Sequence, residues 1–174
     1  MSLEDDLLRE HSKNMADRLG EKALDEAETF EGLMSIYLSG TKKLSQRAAY
    51  PLTKVCDQNP RLFQGYVNNL IDVISKPEHP AVIRHGYRTL RYLDIPAYRK
   101  SDLYNRCLED LNRKKTPIAI KALAMELAAN ICSEYPELGI ELKTIIELQM
   151  DDASTGFRSA GIRVLRRLQV YDER

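Results

Sequence analysis

The chain has 174 residues, 43 % hydrophobic and 30 % charged, with 26 basic and 26 acidic side chains; this is a folded composition, long enough to bury about two-thirds of its unfolded surface, and it excludes a disordered chain. No apolar run approaches the ~18 residues of a membrane helix, and the acidic start Met1-Ser2-Leu3-Glu4-Asp5-Asp6 lacks the basic opening of a signal peptide, so a cytoplasmic protein without a membrane partner is expected. The charge balance hides an asymmetry: residues 1–40 carry ten acids against four bases, a local −6 offset by +6 on the remainder, which leaves room for a local anion-binding surface.

Apolar residues recur at three- and four-residue spacing through almost the whole chain, which predicts an all-α protein. In chain order, helices are expected at about 3–18 and 21–38 and, after the turn residues Ser39-Gly40-Thr41, at 42–57. Asn59-Pro60 opens a helix over 61–75, and Lys76-Pro77-Glu78-His79-Pro80 breaks the chain before one over 80–93. Ile95-Pro96 precedes 100–113, Thr116-Pro117 starts 117–133 and Tyr135-Pro136 starts 137–150, because proline fits only where a helix begins or has ended. Asp151-Asp152-Ala153-Ser154-Thr155-Gly156 leads into 156–170; its two aspartates are read as caps answering the helix dipole rather than as a catalytic pair. Cys56, Cys107 and Cys132 each fall in an apolar helical stretch and are expected to be buried and reduced.

After the first helix the elements form four pairs in one register. Arg47, Arg84, Lys121 and Arg158 are spaced 37 residues apart, and a fixed period of this length marks a stacked array. Ten residues before each base stand Tyr37, Ile74, Leu111 and Leu148; fourteen and thirteen before stand Leu33-Met34, Leu70-Ile71, Cys107-Leu108 and Thr144-Ile145. These positions keep the same register through all four pairs. Short connections favour antiparallel neighbours, and no single pair can hide its apolar face alone, so the pairs must stack. The expectation is a single domain over 1–174: an α-α superhelix of about four helix pairs, with repeat units over about 21–170 and the acidic first helix as an N-terminal cap.

The second helix of each unit resembles that of a HEAT repeat, in which an apolar and a basic residue open the helix and small residues follow. Ile83-Arg84 with Gly86, Ile120-Lys121 with Ala122 and Phe157-Arg158 with Ala160 follow the pattern; Gln46-Arg47, with Ala48 and Ala49, lacks the apolar residue. The acid that HEAT repeats tend to place six residues before the base is present as Glu78 and Asp152 and replaced by Thr41 and Lys115. Small bacterial HEAT proteins that look similar to this chain sometimes carry the label adenylosuccinate lyase. The lyase loop Ser-Ser-x-Met-Pro-x-Lys-x-Asn does not occur in this chain, so the resemblance implies a HEAT or armadillo-like solenoid and no lyase activity.

Other signatures of chemistry are missing from the string. His11, His79 and His85 are the only histidines, the last two six apart and so on different helical faces, and no Cys-x-x-Cys, His-Glu-x-x-His or glycine-rich phosphate loop occurs. No metal, cofactor or enzymatic activity is expected. The positive signal is charge: across residues 42–55, 80–93, 115–132 and 156–171, thirteen bases meet a single acid, Glu126. At ~100° per residue Arg84, Arg88 and Arg91 share one helical face, and Lys43, Arg47 and Lys54 repeat the arrangement one unit earlier. With Lys121 and Arg158 they form the candidate basic groove, because the HEAT resemblance implies that second helices line the concave surface. Tyr50 and Tyr87 stand in one register beside it, either as aromatic contacts or as core residues. The four ladder bases also have a structural reading, as ties between neighbouring units. The function preferred is a non-enzymatic scaffold whose groove binds an acidic protein or peptide through arginine–carboxylate contacts. The alternative is nucleic-acid binding, in likeness to HEAT-like glycosylases of alkylation repair, against which stands the absence of tryptophan. A third possibility, the acidic first 40 residues docking into the groove of the same or another molecule, leaves the oligomeric state open.

Overall fold

A computed structural model describes residues 2–39, 41–76 and 78–172; Gly40 and Pro77, both expected in turns, lie outside the described residues. All regular structure among the described residues is helical, as expected: α1 Leu3–Arg9, α2 Lys13–Asp25, α3 Ala27–Ser39, α4 Lys42–Gln58, α5 Val67–Ile74, α6 Pro80–Leu90, α7 Ala97–Asn112, α8 Ile118–Cys132, α9 Gly139–Gln149 and α10 Thr155–Asp172. The chain divides into two compact units, Met1–Asp94 and Ile95–Arg174. In the first, α4 packs against both α2 and α6, with α3 laid on α4 and α5 on α6. In the second, α8 packs against α10, with α7 on α8 and α9 on α10. Within each unit this is the pairing of first and second helices that an α-α repeat requires.

The N-terminal segment differs from the single capping helix expected over 3–18. It forms two helices, and the break falls at residues 10–12 because Ser12 opens α2, its Oγ accepting the Met15 N–H at 3.1 Å. No break occurs at Leu19-Gly20. Gly20 lies inside α2 because the helix presses so closely on α4 that a Cβ there would stand 2.7 Å from Lys54 Cβ and 3.0 Å from the Pro51 carbonyl oxygen. The missing side chain marks a close approach of two helices, not a turn. The chain stops instead at Glu26, whose N–H still bonds the Lys22 carbonyl and whose carboxylate accepts from Thr29 Oγ1 at 2.8 Å as α3 begins.

Two of the proline starts produce 3₁₀ turns before the α-helix settles: Pro60–Tyr66 ahead of α5 and Pro136–Leu138 ahead of α9. Before α10 the capping atom is Ser154 Oγ, which accepts the Phe157 N–H at 3.4 Å, while Asp151 and Asp152 sit exposed in the preceding turn. The two aspartates are therefore not the caps expected.

The core follows the 37-residue register through three pairs. Tyr37, Ile74 and Leu111 are buried, as are Leu33-Met34, Leu70-Ile71 and Cys107-Leu108. Tyr37 also ties α3 to α6, its hydroxyl donating to the Val82 carbonyl at 2.8 Å. The fourth pair breaks the register. Leu148 is 80 % exposed, and the fully buried positions of α9 are Leu142 and Ile146. Gly161 of α10 explains the arrangement: with no Cβ of its own, it admits Met150 Sδ and Ile146 Cγ2 to 3.0 and 3.1 Å of where one would stand. The carbonyl partners record the same offset. Lys121 bonds the carbonyl ten residues before it, Leu111, whereas Arg158 bonds the one eight before, Met150. A slip of two residues turns a helix by about 200°, which carries Leu148 to the opposite face. All three cysteines are buried, and burial raises the Cys56 thiol and pushes Cys132 up to about 11.

Candidate functional site

Three of the four ladder bases are bound to the ends of neighbouring helices. Arg47 Nη1 donates to the carbonyls of Leu7 and Leu8, in the last turn of α1, at 2.6 and 2.8 Å. Lys121 is only 7 % exposed, with its ammonium donating to the Leu111 carbonyl at 2.7 Å and to Gln149 Oε1 at 3.0 Å and lying 6.0 Å from the centre of the Phe157 ring. Burial pulls its pKa down. Arg158 Nε donates to the Met150 carbonyl at 3.0 Å, and Nη2 to that of Asp151. The last carbonyls of a helix have no partner within it and carry its negative end, so a cation there satisfies both a hydrogen bond and the dipole. The fourth, Arg84, is exposed on α6.

The bases beside the ladder behave differently. In the first unit Gly86 faces Ile74 of α5, so Arg84, Arg88 and Arg91, spaced i, i+4 and i+7, lie on the side of α6 away from α5. Ser45 likewise marks the α3 side of α4 by donating to the Ile36 carbonyl at 3.2 Å, which leaves Lys43, Tyr50, Lys54 and Asp57 on the other. Acids from the adjoining helix enter this row. Arg88 Nε donates to Asp57 Oδ1 at 2.9 Å, and Lys54 Nζ stands 3.9 Å from Asp17 Oδ1. Burial opposes the Arg88 cation, but its hydrogen bond and attraction to Asp57 outweigh that and raise its pKa. In the second unit Arg163 donates to Glu126 at 2.8 Å and Arg167 to Asn130 Oδ1 at 2.7 Å, with Arg166 exposed beside them.

The two tyrosines separate. Tyr87 is fully buried and belongs to the core, so it offers no contact surface. Tyr50 is exposed and meets His11 edge to face at 5.1 Å between centroids. The pair borders a cleft of about 440 Å³ between α2 and α4, where Lys13, Asp17, Lys54 and Asp57 bring both signs of charge.

Neither His79, just before α6, nor His85 within it is placed as a metal ligand. His79 Nδ1 accepts the Ala81 N–H at 3.1 Å and caps the helix. His85 is buried between the rings of Tyr37 and Phe63. Thr53 Oγ1 already donates to the Ala49 carbonyl at 2.8 Å, so it receives the His85 Nδ1–H at 3.2 Å and leaves Nε2 to accept from Thr89. Burial, then the charges of Arg88 and Arg84, push this imidazole down to about 3, so it is neutral at physiological pH. Among the described residues no group of three or more His, Cys, Asp or Glu is placed to hold a metal, and no helix is long and apolar enough to cross a membrane.

Sequence reasoning put Lys121 and Arg158 forward in the second unit, where Arg163, Arg166 and Arg167 are the bases displayed on α10. A signal for them existed: Glu126 to Arg163 and Asn130 to Arg167 are each 37 residues apart, so the period itself names the side chains that meet across neighbouring second helices. Asp17 and Asp57 lie outside the second-helix spans, so the charges of those spans alone do not show that the two acids stand beside the row. Residues 3–168 match the family model of the HEAT repeat domain. Comparison with curated proteins and with solved structures gives no match.

Proposed function

We propose that this chain, which belongs to the HEAT repeat domain family, is a non-enzymatic interaction module that holds an acidic protein segment on the second-helix face of its first unit. The observation that carries this reading is the surplus of cations on that face: Lys43, Lys54, Arg84, Arg88 and Arg91 stand with Asp17 and Asp57. Arg88, fixed by Asp57, is already oriented, so less side-chain freedom is lost when a carboxylate arrives beside it. Tyr50 and His11 supply flat apolar surface at the edge of the same row. Affinity on such a surface is electrostatic in large part and falls with salt.

The test is fluorescence anisotropy with a labelled oligoglutamate peptide, comparing the wild type with a Lys54→Glu/Arg84→Glu/Arg91→Glu variant. The expected outcome is saturable binding at low salt that weakens at least tenfold in the variant and by a similar factor near 0.5 M salt. Binding that ignores both changes refutes the reading. A duplex DNA probe in the same assay addresses the nucleic-acid alternative: a shift at micromolar protein that exceeds the peptide's transfers the face to phosphate recognition.

A further inference from the structure

The second-helix face of the second unit carries its own cluster of charge. Arg163, Arg166 and Arg167 of α10 stand at i, i+3 and i+4, so their side chains leave one face of the helix within about 6 Å along its axis. No acid occurs over residues 155–171. A carboxylate reaches the cluster from α8, where Glu126 accepts from Arg163 Nη2 at 2.8 Å. Four residues on, Asn130 Oδ1 accepts from Arg167 Nη2 at 2.7 Å. Arg166 is exposed beside them. Two of the guanidinium groups are thus held in place by α8, and three cations against one acid leave a local +2 among the described residues. One turn earlier, Ser159 of α10 and Ala122 of α8 carry small side chains, which keeps the approach to Arg163 low.

We propose that this face of the second unit binds a phosphorylated side chain of a partner protein, at a site separate from the one proposed on the first unit. Charge decides between the anions. A carboxylate brings one negative charge, and Glu126 already supplies one. A phosphomonoester brings about −1.5 to −2 near pH 7 together with three acceptor oxygens, which matches the +2 that Glu126 leaves over. The planar guanidinium fork suits phosphate, and Glu126 takes only one of the five N–H donors of Arg163. Because Arg163 and Arg167 are already oriented, less side-chain freedom is lost when the phosphate arrives. Arg166 adds the third cation from the solvent side. A nucleic-acid strand fits less well. It needs cations repeated along its backbone, and α8 continues the row with Glu126 and Asn130 in place of bases.

Fluorescence anisotropy at low salt tests this with a labelled peptide of glycine, asparagine and alanine around one central residue. That residue is phosphoserine, serine or glutamate, and the neutral frame gives the face of the first unit no acidic segment to hold. The phosphoserine peptide should bind saturably, the glutamate peptide roughly tenfold or more weakly by comparison, and the serine peptide not at all. Arg166→Glu, at an exposed position and with an unchanged helical circular dichroism spectrum, should abolish the binding, and Arg84→Glu/Arg91→Glu on the first unit should leave it intact. No binding of the phosphoserine peptide, equal binding of the glutamate peptide, binding that survives Arg166→Glu, or loss in the first-unit variant overturns the proposal. A single-stranded oligonucleotide or inorganic phosphate that displaces the peptide at equal concentration also overturns it, by giving the cluster to a nucleic acid or to the free ion.

Discussion

Lys121 occupies a site where its neighbours along the ladder are arginines and its surroundings are apolar. Its ammonium survives there because the Leu111 carbonyl and the Gln149 amide take two of its three protons. Removing it leaves a buried carbonyl without a donor as well as a cavity, so Lys121→Ala should cost about 2–4 kcal/mol in urea unfolding, whereas Arg84→Ala on the exposed face should stay within about 0.5 kcal/mol. Equal losses at the two positions would contradict the structural role of the ladder. His85 gives the residue scale a pH signature. The folded imidazole titrates near 3 and the unfolded one near 6.5, so between those values the unfolded chain binds the extra proton. Stability from this group is therefore complete above about pH 6.5 and falls as the pH drops toward 3, at about 1.4 kcal/mol per pH unit in the steep part. Urea midpoints measured from pH 7 to pH 4 should show the decline, and His85→Leu should flatten it; a slope unchanged by the substitution would rule it out. The recurring base at each thirty-seventh position was plain in the chain, but its role was not. A carbonyl at a helix end leaves no mark in a residue string, since every residue has one.

At the scale of elements, most of the helices could be read from apolar spacing and proline placement, because both act within a few residues. What escaped depended on a neighbour. Gly20 looked like a stop and is a contact point, since only the approach of α4 distinguishes the two. The register of α9 is the clearest instance. The period puts Thr144, Ile145 and Leu148 in the slots that the other three pairs bury, whereas the close seat that Gly161 gives to Ile146 and Met150 selects Leu142 and Ile146. Apolar residues stand at both sets of positions, so periodicity alone does not choose between them. The consequence is an inverted pair of mutational effects. Leu148→Ser should change the urea midpoint little, within about 0.5 kcal/mol, while Ile146→Ala should cost about 2–4 kcal/mol. The reverse order would restore the unbroken register.

For the whole molecule, a net charge of zero concealed both the acidic first helices and the basic second-helix faces, because a sum discards position. The class of fold was legible in the 37-residue period, and the HEAT repeat domain family over residues 3–168 agrees with it. The binding face was half legible. Arg84, Arg88 and Arg91 share the side of α6 away from α5, as helical geometry dictates, but which bases were committed to carbonyls and which acids stood beside the rest depended on contacts between helices. The proposed binding of an acidic segment on α4 and α6 rests on the bases displayed there. Its most direct test is a two-dimensional ¹H–¹⁵N NMR titration with unlabelled oligoglutamate peptide at low salt. The expected shifts concentrate at Lys43, Tyr50, Lys54, Arg84 and Arg91 and are reversed by added salt. Shifts centred on α3 and α5, or no shifts at millimolar peptide, would contradict it.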